Sequence, residues 1–87
     1  MSEITLKAAD VSFQNIKDLI GNSLAEHQWP VDNGGKVTAQ IKITQRAGLI
    51  HTKYLHITIT KPDGSWSYYR EQAGGQFKLI SSSHPSV

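Results

Sequence analysis

Three tripeptides that end in glycine, Arg46-Ala47-Gly48, Pro62-Asp63-Gly64 and Ala73-Gly74-Gly75, punctuate residues 36–82, and the chain between them alternates apolar and polar side chains. A three-residue loop with glycine in the left-handed position is a favoured hairpin connection, and proline at its first position suits the turn. Side chains alternate faces along a strand, so loop length fixes which residues share a face, and a slip of one residue turns a strand over.

Counting outward from Pro62-Asp63-Gly64 pairs Lys61 with Ser65, Thr60 with Trp66, Thr58 with Tyr68, Ile57 with Tyr69 and His56 with Arg70. The same count around Arg46-Ala47-Gly48 pairs Gln45 with Leu49, Ala39 with Leu55 and Val37 with Ile57. Around Ala73-Gly74-Gly75 it pairs Gln72 with Gln76, Arg70 with Lys78 and Tyr69 with Leu79. All three hairpins agree in parity, whereas a two-residue loop at the first would set the apolar sides at odds. The expected core face is Val37, Ala39, Ile41, Ile43, Leu55, Ile57, Ile59, Tyr69, Phe77 and Leu79. Lys53, Ser67 and Glu71 share that parity and belong at its margins.

The opposite face carries the functional content. One row across the sheet reads Thr38, His56, Arg70, Lys78, flanked by Gln40, Tyr54, Gln72, Gln76 on one side and Lys36, Thr58, Tyr68, Ile80 on the other, with Trp66 and Lys42 further along. Aromatic residues set among cations on an exposed sheet face tend to mark a binding surface. The bland alternative is a solvated face on which isolated aromatics carry no function.

Upstream, residues 4–7 are available as a short extra strand. Asp10 or Ser12 can then cap a helix by accepting from a backbone N–H. Phe13, Ile16, Leu19, Ile20 and Leu24 recur at helical spacing, a stripe of the kind that packs on an apolar sheet face. Gly21 costs about 1 kcal/mol inside such a helix and either permits close packing or ends it early. Trp29-Pro30 should stop the helix by His27 or Gln28, because the residue before a proline is pushed out of helical geometry. Residues 31–35 read as a flexible link, Trp29 as a lid on one end of the core, and residues 83–87 as a disordered tail. The expected fold is α+β: one N-terminal amphipathic helix packed on a four-stranded antiparallel meander, in a single domain over residues 1–82.

With 87 residues, 38% of them hydrophobic, the chain suits one modest core. No apolar run approaches the ~20 residues of a membrane span. The first residues lack a basic stretch followed by an apolar one, so no secretory signal is visible and a cytoplasmic location is expected. Without cysteine there are no disulfides and no thiolate metal sites. A net charge of +2 permits an anionic partner without demanding one, so the placement of the charge matters more than its total.

Four chemistries compete for the open face. Metal binding is disfavoured, since His27, His51, His56 and His84 have no chelating spacing. His56 beside Arg70 and Lys78 has the parts of a metal-independent ribonuclease, but nothing marks a cleft, and no nucleophile motif is present. The chain is therefore expected to be a non-enzymatic binding module without a cofactor. Lys42, Tyr54, His56, Trp66, Tyr68, Arg70 and Lys78 are its candidate site: the aromatics would stack single-stranded bases, and the cations would hold the backbone of DNA or RNA. The alternative is a protein partner, the chain acting as an inhibitor, an immunity-type factor or an adaptor, because Tyr, Trp and Arg also dominate protein interfaces. Self-association belongs with that alternative.

Overall fold

The computed structural model describes residues 4–46 and 50–83, with backbone alone for 44–46, 50 and 51. After a short 3-10 turn at Ala8–Asp10 come a helix α1 at Phe13–Ile20 and strands β1 His27–Pro30, β2 Lys36–Arg46, β3 Ile50–Thr60, β4 Trp66–Glu71 and β5 Phe77–Ser82. The strands form one antiparallel meander in chain order. The class is α+β, with five strands where the loop count gave four.

The additional strand comes from the segment read as the end of the helix. Helix α1 starts at Ser12, whose Oγ accepts from the Asn15 N–H at 3.1 Å. It stops at Gly21, where φ is 57° and ψ −123°. That leaves the chain free to form β1, in which His27 pairs with Ala39 and Trp29 with Val37. Residues 4–7 add no strand; Leu6 makes a single parallel bridge to Val31, donating to the Pro30 carbonyl and accepting from the Asp32 N–H.

Residues 31–35 are not a flexible link either. Val31 N–H donates to the Gly35 carbonyl at 2.9 Å and Gly34 N–H to the Val31 carbonyl at 2.9 Å. The same two bonds close Lys61 to Ser65 and Gln72 to Gln76. Asp32-Asn33-Gly34, Pro62-Asp63-Gly64 and Ala73-Gly74-Gly75 are thus one loop geometry used three times, with Gly34, Gly64 and Gly75 at φ 95°, 92° and 88°. In the first two, the middle side chain accepts from the backbone two residues on: Asn33 Oδ1 from Gly35 N–H and Asp63 Oδ1 from Ser65 N–H.

The β3–β4 register follows the loop count, with His56 opposite Arg70 and Tyr68 opposite Thr58. Between β2 and β3 the register differs by two: Arg46 pairs with Ile50 and Ala39 with Ile57. Of the loop expected at Arg46-Ala47-Gly48, Arg46 is instead the last residue of β2, and residues 47 and 48 lie outside the described residues. A shift of two preserves the faces but changes the rows, so that Gln40, not Thr38, stands opposite His56. A bulge between Tyr68 and Tyr69 then sets Ser81, not Ile80, opposite Tyr68.

The core lies between α1 and the odd-numbered face. Ile16, Ile20, Trp29, Val31, Val37, Ala39, Leu55 and Ile57 are buried, with Phe13, Ile41, Ile59 and Phe77 packed on them. Phe13 stacks on Phe77 at 4.4 Å and meets the Tyr69 ring at 4.9 Å, which fixes α1 toward β4 and β5. Trp29 does close the core, at 7% exposed. Eight helical residues span only about 12 Å, however, and the sheet outruns them. Ile43 and Leu79, expected inside, are consequently 46% and 51% exposed, and Leu19 and Leu24 of the expected stripe are exposed too. Among the marginal polar residues, Glu71 is held by Lys17 at 2.6 Å and accepts from the Leu55 N–H at 3.3 Å. The expected tail begins with an anchored residue: Ser83 donates through its N–H to the Trp66 carbonyl, and its Oγ accepts from the Trp66 N–H. Residues 84–87 lie outside the described residues.

Candidate functional site

The seven candidate residues occupy four strands, all at even positions. Lys42 stands on β2, Tyr54 and His56 on β3, Trp66, Tyr68 and Arg70 on β4, and Lys78 on β5. Pairing brings them together on the face away from α1: Lys42 opposite Tyr54, then His56, Arg70 and Lys78 in one row, then Tyr68 and Trp66 along β4. Alternation places them there because Val37, Ala39, Leu55 and Ile57 between them are committed to the core.

His56 and Tyr68 form the centre of this face. Nδ1 of His56 and the Tyr68 hydroxyl are hydrogen-bonded, with the two rings 5.7 Å apart and tilted by 32°. Partial burial, with the neighbouring Lys42 and Arg70 cations adding to it, holds the His56 imidazole below its ordinary pKa of 6.5. The ring is therefore neutral at pH 7, and its protonation is opposed by fixed charge on both flanking strands.

Two shallow depressions adjoin this pair. One, of about 440 Å³, lies on the Tyr68 side and is lined by Lys36, Thr38, Thr58, Thr60, Trp66, Tyr68 and Ser81. The other, of about 500 Å³, lies on the His56 side and is lined by Lys42, Ile43, Tyr54, His56, Arg70, Glu71, Gln72 and Ala73. The hydroxyl-bearing residues of the first were not among the sequence candidates. Their shared even parity was the available signal for Thr38, Thr58 and Thr60, while Ser81 is brought in by the bulge and leaves no such trace.

Charge is divided between the two sides. The even strand positions contribute Lys36, Lys42, Arg70 and Lys78 and, among the described residues, no carboxylate. Asp10, Asp18, Asp32, Asp63 and Glu71 lie on the helix side or in loops, and Glu26 precedes β1 at the rim, bonded to Gln28. A total charge of +2 thus conceals a one-sided distribution.

No group of three metal-ligating side chains converges among the described residues. His27 lies on the helix side, stacked on Trp29 and bonded to Ser23, far from His56 in the pattern of faces. None of the described helices is long and apolar enough to cross a membrane. No protein family model, curated protein or solved structure matches the chain.

Proposed function

We propose that the chain is a non-enzymatic module whose open sheet face binds single-stranded nucleic acid. The observation that carries this reading is the gathering of Tyr54, Trp66 and Tyr68 with four cations on one face whose even strand positions, among the described residues, hold no carboxylate. Bases stack on aromatic rings for about 1 to 3 kcal/mol each, and Lys and Arg meet the phosphates between them. Trp66 is 38% exposed, so a ring surface is available without rearrangement. The same residue types suit a protein interface, and salt separates the two readings, because phosphate contacts release counterions and an aromatic protein contact does not.

Fluorescence anisotropy with a labelled oligothymidylate about ten nucleotides long provides the test. If Lys42, Arg70 and Lys78 each meet one phosphate, affinity should fall about 20-fold between about 50 and 200 mM salt, given a slope near 0.7 per contact. Arg70→Ala should lower that slope by about 0.7. Tyr68→Ala should weaken binding at every salt concentration. Absence of binding at the low-salt end would end the nucleic-acid reading and leave the protein interface.

A further inference from the structure

The two depressions differ in chemistry, and the His56–Tyr68 pair is the partition between them. On the Tyr68 side, Thr38, Thr58, Thr60 and Ser81 line the same depression as Trp66 and Tyr68. Such a lining offers a planar group both stacking and hydrogen bonds in either direction. On the His56 side, Lys42 and Arg70 flank the imidazole, with Tyr54 and Gln72 as further hydrogen-bonding groups. Two residues along β4 separate Tyr68 from Arg70, about 7 Å, which is the reach from a base across its sugar to a phosphate.

We propose that these are two stations for one nucleotide unit, the base held on Trp66 and Tyr68 and its phosphate between Lys42, Arg70 and His56, and that His56 takes up a proton when the phosphate binds. The assignment rests on the nucleic-acid reading of the open face and gives it a direction across the sheet. An anion seated between Lys42 and Arg70 reverses the local field that opposes the imidazolium, so protonation that is unfavourable in the free protein becomes favourable in the complex. The proton comes from solvent, and in the resulting imidazolium both ring nitrogens carry hydrogen. Nδ1–H then donates to the Tyr68 oxygen, and the Tyr68 O–H is freed to turn toward the ligand. Nε2–H is left to meet the phosphate.

The groups around His56 agree with this course. Lys42 lies diagonally across from it on β2, Tyr54 shares its strand, Arg70 stands opposite it on β4 with Tyr68 diagonal to it, and Lys78 continues its row on β5. Glu71 borders the same depression, but its carboxylate is engaged by Lys17 and the Leu55 N–H on the helix side. Across β2, the uncharged Gln40 stands opposite His56, and β1 adds Gln28 opposite Thr38, with Glu26 beyond the strand end. No carboxylate in this set is free to take the place of the phosphate.

Oligothymidylate is the appropriate probe, because neither its phosphodiesters nor thymine titrates between about pH 5.5 and 8, the window in which histidine changes charge. At fixed low salt, affinity should rise severalfold from pH 8 to pH 5.5, toward the roughly tenfold ceiling set by raising one pKa by about a unit on binding. The His56→Gln protein should bind with an affinity that is flat across the same range. Carbon-edited NMR of the wild-type histidines reads the event without a variant, and the His56 pKa should be about one unit higher in the complex. Binding with an unchanged His56 pKa, or a pH slope that survives in His56→Gln, would overturn the phosphate station while leaving the open face as a nucleic-acid surface. No binding at any pH would overturn both.

Discussion

Replacing Gly35 by alanine tests how β1 is locked onto the sheet. A β-carbon built on Gly35 meets the carbonyl oxygen of Thr60 at 2.5 Å and Asn33 Oδ1 at 3.1 Å, where ordinary contact begins at 3.4 Å. About 0.9 Å must be found, and Thr60 cannot supply it, since it is paired with Lys36 on one side and Trp66 on the other. The movement falls instead on the Asp32-Asn33-Gly34 loop, which Gly35 closes through its carbonyl bond from Val31. That loop carries Val31 and Trp29, each 7% exposed, so the strain passes directly into the core. Overpacking of this kind costs about 2 to 3 kcal/mol. A domain of this length has a total stability of about 4 to 13 kcal/mol, so the loss should lower the melting temperature by about 10 to 20 °C. Urea unfolding followed by tryptophan fluorescence measures it, with Gly64→Ala as the comparison. Gly64 has φ 92° but nothing within 4 Å of its built β-carbon, and so incurs only backbone strain of about 1 to 2 kcal/mol. A Gly35→Ala protein within about 0.5 kcal/mol of wild type, the usual range for an indifferent surface site, would refute the close approach of these two segments.

Two further outcomes are expected. Glu71→Ala removes the acceptor of the Leu55 N–H, which points to β4 where strand pairing has ended, and should cost about 1 to 2 kcal/mol; Lys17→Ala, at a half-exposed position, should cost less than about 1 kcal/mol by the same urea measurement. Because the His56 pKa is lowered in the folded protein, the unfolded chain binds more protons below about pH 6.5, so the free protein should lose stability as pH falls through that point, and comparison with His56→Gln by urea midpoint should isolate this loss. A pH dependence identical in the two proteins would assign it to other groups.

Much of the sheet was legible because parity is a strong constraint. Pro62-Asp63-Gly64 and Ala73-Gly74-Gly75 form the loops their residues suggest, and the face shared by Tyr68, Arg70 and Lys78 follows from them. Asn33-Gly34 is an equally good hairpin signal, masked by the apparent helical run through Leu24 and by the prolines and glycines around it. The two-residue register difference between β2 and β3 was invisible to the pattern, since apolar positions alternate with the same period in either register. The helix length turned on Gly21, where helical propensity and chain termination compete and the positive φ settled it. The bulge beside Tyr68, and with it the position of Ser81, depends on how β5 meets the exposed edge and has no local sequence mark.

The partition of the sheet into a helix-covered odd face and an even face proposed to bind is tested most directly by backbone and side-chain NMR during titration with the oligothymidylate. Resonances of Tyr54, His56, Tyr68, Arg70 and Lys78 should move together, while those of Ile16, Ile20 and the rest of α1 stay in place. Largest shifts on α1, or at Ile43 and Leu79 on the uncovered helix-side margin, would contradict it.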